Sequence, residues 1–84
     1  YPNPFNASTT LPYRVGAPGE IVVDIYNLSG QRVRRLVDAY HDVGQYAISW
    51  DGLDEQAVPS SSGVYVVTMQ NGGVLSTRKI ILLK

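Results

Sequence analysis

The sequence contains no cysteine. That absence excludes a disulfide framework, a thiolate nucleophile and a cysteine-ligated metal. A domain this small often needs such a staple, so its stability must come from its apolar core. There is one histidine, His41. Catalytic use would require a positioned partner within hydrogen-bond reach, and no neighbour in sequence identifies one. His41 therefore reads as a loop residue. No apolar run approaches the roughly 18 residues of a membrane span, and no signal peptide is visible. Charge of either sign is not in excess: seven Lys and Arg balance seven Asp and Glu. Nucleic-acid binding normally shows a basic field, which is missing here. The local run Arg32-Val33-Arg34-Arg35 has too few cations to neutralise many phosphates. It reads instead as a solvated strand edge, where charge blocks unwanted pairing. The first residue is not methionine, which suggests a piece of a longer polypeptide.

What remains is β-structure. The 84 residues suffice for one domain, spanning 1–84, and 44% of them are hydrophobic. In EIVVDIYN, Glu20 to Asn27, the residues Ile21, Val23 and Ile25 share one face of a period-two strand. Leu28 to Gln31 is a turn with Gly30 as its left-handed residue. The chain returns as RVRRLVD, where Val33 and Leu36 are three apart. A β-bulge near Arg34-Arg35 would bring both to one face, making residues 20–38 a hairpin. Asp42 to Trp50 is a further strand with Tyr46, Ile48 and Trp50 on one side. Trp50 is the only tryptophan and the expected centre of the core. A long polar loop follows, 51–62, then the strand Gly63 to Gln70, the hairpin signal Asn71-Gly72-Gly73 and a last strand. Thr9 to Val15 is a weaker strand. Pro12 confines it to an edge.

Short strands at this spacing, with no helical stretch, predict an all-β fold. The expected architecture is an immunoglobulin-like or fibronectin-III-like antiparallel sandwich of about seven strands. The expected core is Ile21, Val23, Ile25, Val33, Leu36, Ile48, Trp50, Tyr65 and Val67.

Several segments together resemble a known family. These are NPFN-x-S-T-T at 3–10, IYNLSGQRVRRLV at 25–37, WDG at 50–52, SGVY at 62–65 and RKIILLK at 78–84. The chain resembles the immunoglobulin-like domain of flagellar hook-capping proteins and the related C-terminal sorting domains of type IX secretion. The long connection from Trp50 to Tyr65 is closer to the hook-capping version. The resemblance implies a non-catalytic module with residues 1–8 leading in from a linker, and a covalently linked cargo domain on its N-terminal side. In the sorting version it implies outer-membrane secretion machinery and a sortase-like peptidase as partners. It further implies passage through the periplasm to the cell surface or medium. Gly30, Trp50, Asp51, Gly52, Gly63 and Tyr65 are the structural motif residues that the resemblance marks.

Two segments are candidates for recognition. Asn3, Pro4 and Phe5 either address export machinery or form a turn in which Phe5 plugs one end of the sandwich. Ile80, Ile81, Leu82 and Leu83 are apolar on both faces and flanked by Lys79 and Lys84. Either this is a central strand covered on both sides, or its edge is offered to a receptor by β-augmentation. In the second case the lysines act as gatekeepers against aggregation. The resemblance favours recognition. Asp51, Asp54 and Glu55 lack a regular calcium-ligand pattern, and WDG is read as an aspartate turn. The tyrosines suggest a sugar platform, but Tyr46 and Tyr65 fall on core faces. The sequons at Asn6 and Asn27 are common by chance. No cofactor, metal or nucleic-acid partner is expected, and no catalytic constellation can be assembled. A sorting module ranks first, a structural spacer or assembly domain second and a carbohydrate-binding module third.

Overall fold

The computed structural model describes residues 8–83. Six strands run in chain order: β1 (Thr9–Val15), β2 (Gly19–Tyr26), β3 (Arg32–His41), β4 (Gly44–Trp50), β5 (Gly63–Asn71) and β6 (Val74–Leu82). They form two antiparallel sheets, β1-β4 and β3-β2-β5-β6. The described residues thus hold six strands where about seven were expected. β4 begins two residues later than its sequence pattern suggested. The carbonyl of Asp42 is taken by the Tyr46 hydroxyl at 2.8 Å, at the point where the chain crosses between sheets.

The hairpin of β2 and β3 holds two register shifts where one bulge was expected. Val23 faces Val37 and Asp24 faces Arg35, so Leu36 is the extra residue; Ile25 faces Arg34 and Tyr26 faces Arg32, so Val33 is the second. Each extra residue flips the side-chain alternation once. Leu36 and Val33 consequently both pack against the core, although half-buried. Between them, Arg35 is turned onto the outer face opposite Asp24. The turn 27–31 is held by Asn27, whose Oδ1 accepts the amides of Ser29 and Gln31 at 3.0 Å each. Gly30 there has φ +86°, a conformation costly to any residue with a Cβ.

The core lies between the sheets. Leu11 and Val15 from β1, Ile21, Val23 and Ile25 from β2, Trp50 from β4, Tyr65 and Val67 from β5, and Ile80 and Leu82 from β6 are buried together. Ile48, paired with Leu11 of β1, is only half-buried. Trp50 is fully enclosed, meets the Tyr65 ring edge-on at 5.1 Å, and donates its indole N–H to the Leu53 carbonyl at 3.0 Å. Leu11 and Val15 were not expected inside. Pro12 masked the alternation of β1, yet it sits outward on an edge strand as its missing N–H requires.

Candidate interaction surface

A two-sheet sandwich exposes sheet edges, and each edge is a row of backbone groups able to pair with another chain. Three of them differ sharply in how they are treated.

At β3 the loop after β4 caps the stretch of the edge from Val33 to Arg35. The amide of Glu55 donates to the Val33 carbonyl at 3.1 Å, and the Glu55 carboxylate accepts the Arg35 amide at 2.6 Å. Beside this contact, Arg34 Nη1 donates to Asp51 Oδ1 at 3.0 Å and to the Leu53 carbonyl at 3.1 Å. Asp51 Oδ1 also accepts the Leu53 amide at 3.0 Å, the aspartate turn expected of WDG. Asp54 Oδ1 accepts the amides of Gln56 and Val58. The three acidic residues of this loop are therefore spent on its own architecture. Two of the three arginines of the basic run are spent too, Arg34 on the loop and Arg35 on Asp24.

At β1 the edge is blunted by Pro12. Proline has no amide to give, so the pair Pro12 and Ala47 is one whose backbone groups point away from the partner strand. The outward carbonyl of Pro12 accepts Arg78 Nη2 at 2.9 Å, which bridges the open seam between β1 and β6.

At β6 no such device is present among the described residues. The strand ends the order β3-β2-β5-β6 and pairs on one side only. It is thus neither central nor covered on both faces. Ile80 and Leu82 point into the core, while Ile81 and Leu83 are 60% and 75% exposed and Lys79 is exposed. Of the six C-terminal recognition candidates, Lys79, Ile81 and Leu83 have side chains available, and Ile80 and Leu82 are core residues. Leu75, 59% exposed, joins the same outer face and was not singled out by sequence. Its signal was the strand period counted back from Ile81. Asn3, Pro4, Phe5 and Lys84 lie outside the described residues.

The remaining motif residues serve the scaffold. Gly52, with φ +79°, is buried behind the WDG turn, and its carbonyl accepts the Ser60 amide at 2.8 Å. Gly63 opens β5, and the Tyr65 hydroxyl donates to the Ser61 carbonyl at 2.6 Å. His41 ends β3 instead of lying in a loop. Its Nδ1 is 3.1 Å from the Ala39 carbonyl, which can only accept, so that nitrogen carries the proton. Its Nε2 then accepts the Tyr13 hydroxyl at 2.9 Å. Tyr13 stacks on Tyr46 at 5.5 Å, and burial, followed by the neighbouring Tyr46, raises the Tyr13 hydroxyl above its ordinary value. Tyr26 lies on the outer face and Tyr40 on the opposite end of the same strand pair, so the tyrosines among the described residues form no continuous platform.

Residues 7–73 match the family model described as the FlgD Ig-like domain. No curated protein matches the chain by sequence. The fold is similar to that of FlgD from Xanthomonas campestris, a crystal structure presented as giving insights into the hook capping essential for flagellar assembly. The TM-score is 0.69 at 20% identity, over 92% of this chain and 58% of that one. FlgD from P. aeruginosa is similar with a TM-score of 0.68 at 17% identity, over 93% of this chain and 61% of that one. The chain thus spans about three fifths of the length of these solved structures. The antiparallel sandwich, the matched residues and the fold likeness agree: the chain belongs to the FlgD Ig-like domain family.

Proposed function

We propose that this domain is a non-catalytic assembly module of an exported bacterial protein, and that it works by offering the free edge of β6 to a partner. The observation that carries this reading is the contrast between edges. Glu55 caps the β3 edge over Val33–Arg35 and Pro12 with Arg78 interrupts the β1 edge, whereas among the described residues no such contact covers β6, and Ile81 and Leu83 are exposed beside it. Edge pairing supplies affinity through backbone hydrogen bonds and specificity through alternate side chains. Membership of a hook-capping family supports an assembly role over chemistry.

A sorting role is the second reading, favoured by the open apolar strand near Lys79. In it the partner is outer-membrane secretion machinery, a sortase-like peptidase releases the cargo, and the parent passes through the periplasm to the surface. One experiment separates the two. The parent protein carries Lys79→Glu with Ile81→Glu, both exposed positions that leave the core intact. A periplasmic reporter carries the same domain in both forms. Loss of the parent from its extracellular assembly with export unchanged supports the assembly role. Export of the reporter by the parent domain, lost in the variant, supports sorting. If the substitutions alter neither, β6 is not the working surface.

A further inference from the structure

We infer that the strand received by β6 is an extended acidic one, with apolar side chains alternating with aspartate or glutamate. This rests on the reading of β6 as a docking edge and names the partner for it.

The backbone geometry fixes which groups are on offer. β5 and β6 are joined by the two residues Gly72-Gly73, with Asn71 opposite Val74. A two-residue loop closes on a mutually hydrogen-bonded pair, and the alternation then propagates along the ladder. Val74, Ser76, Arg78, Ile80 and Leu82 therefore bond to β5. Leu75, Thr77, Lys79 and Ile81 present their N–H and C=O groups to the open side. Their side chains share the outer face, apolar at both ends with Lys79 between.

Charge selects the partner. All seven Asp and Glu side chains lie between Glu20 and Glu55, and none lies on β5 or β6. β6 carries Arg78 and Lys79. Among the described residues neither forms an ion pair; Arg78 holds the neutral Pro12 carbonyl, and Lys79 stands opposite Val66. The open edge is thus cationic, with no counter-charge paired to it among the described residues. A second copy fits it poorly. β6 spans Val74–Leu82, so antiparallel self-pairing over its whole length sets Arg78 opposite Arg78. Like charges directly opposite destabilise a strand pair. An incoming strand with carboxylates opposite Lys79 and apolar residues opposite Leu75 and Ile81 satisfies both features.

The test is an amide chemical-shift titration of the 84-residue chain with two nine-residue peptides, one alternating valine with glutamate and one alternating valine with lysine. The glutamate peptide is expected to shift the amides of Leu75, Thr77, Lys79 and Ile81. Its affinity should exceed that of the lysine peptide by about three- to tenfold, the scale of a few rim ion pairs. Lys79→Glu should reverse that order. Thr77→Pro removes an outward N–H without costing a bond to β5, and should abolish binding while the melting transition is kept. Equal binding of both peptides at β6 overturns the acidic partner but leaves the docking edge standing. No β6 shift from either at millimolar peptide overturns both. Dimerisation of the chain through β6 in place of peptide binding also overturns the proposal.

Discussion

Arg35 grips Asp24 through two parallel contacts across the β2–β3 ladder, Nε to Oδ1 at 2.9 Å and Nη2 to Oδ2 at 3.2 Å. Asp24 is 3% exposed and is the only buried charged side chain among the described residues. The pairing depends on the bulge at Leu36, which brings Arg35 opposite Asp24. Removing Arg35 leaves a buried carboxylate unpaired, whereas removing Asp24 leaves a guanidinium that can turn to water. Arg35→Ala is therefore expected to lower Tm more than Asp24→Ala. The double variant should melt above Arg35→Ala alone. Thermal melts of the three proteins check the order, and additive effects would show that the pair is not coupled.

Trp50 is the largest fully buried side chain, and its indole N–H is bonded to the Leu53 carbonyl. Trp50→Ala should cost about 3–5 kcal/mol, the range for truncating a large aromatic in a core. Trp50→Phe keeps the ring contact with Tyr65 but leaves the Leu53 carbonyl with Arg34 alone, and should cost less. Urea unfolding of both variants measures this. A parent-like midpoint for Trp50→Ala would overturn the placement of the core.

The strands were legible because their apolar residues alternate strictly, as in Ile21, Val23 and Ile25. Trp50 and Tyr65 were legible as core for the same reason. Leu11 and Val15 were not, since Pro12 interrupts their strand and marks it as an edge. The second bulge escaped notice because one shift already explains the spacing of Val33 and Leu36. Only the pairing with β2 reveals the other. At the candidate surface, the sequence identified the terminal apolar segment but could not divide it. Ile80 and Leu82 part from Ile81 and Leu83 only once the register with β5 is known. The closure of β3 by Glu55 was hidden as well, because the contact spans 20 residues of chain.

The Tyr13 hydroxyl has a raised pKa from burial first and from Tyr46 second. A raised folded value means that the protonated form is favoured by folding. Its contribution is complete below the ordinary tyrosine value of about 10 and is lost as pH rises through the raised one. Stability should therefore decline at the alkaline end, with a shallower decline in Tyr13→Phe, which cannot ionise there. Urea midpoints from pH 9 to 11 test this. Parallel slopes would show that Tyr13 carries no part of the alkaline loss.

Glu55 caps the β3 edge at Val33–Arg35 by two routes, its amide to the Val33 carbonyl and its carboxylate to the Arg35 amide. The second route sits at the stretch between the bulges, where β3 departs from regular pairing and the Arg35 amide faces outward. A carboxylate there imitates the carbonyl of a neighbouring strand. Glu55→Ala removes that imitation and leaves an edge amide open, so β3 should become available for pairing with other molecules. The expected result is faster amide exchange at Arg35 and concentration-dependent self-association by sedimentation. Glu55→Gln should behave like the parent, because its carboxamide oxygen still accepts the same N–H. If Glu55→Gln associates as strongly as Glu55→Ala, the charge of Glu55 rather than its hydrogen bond guards the edge. If neither associates, the bulges and the ion pairs of Arg34 and Arg35 are enough to keep β3 apart.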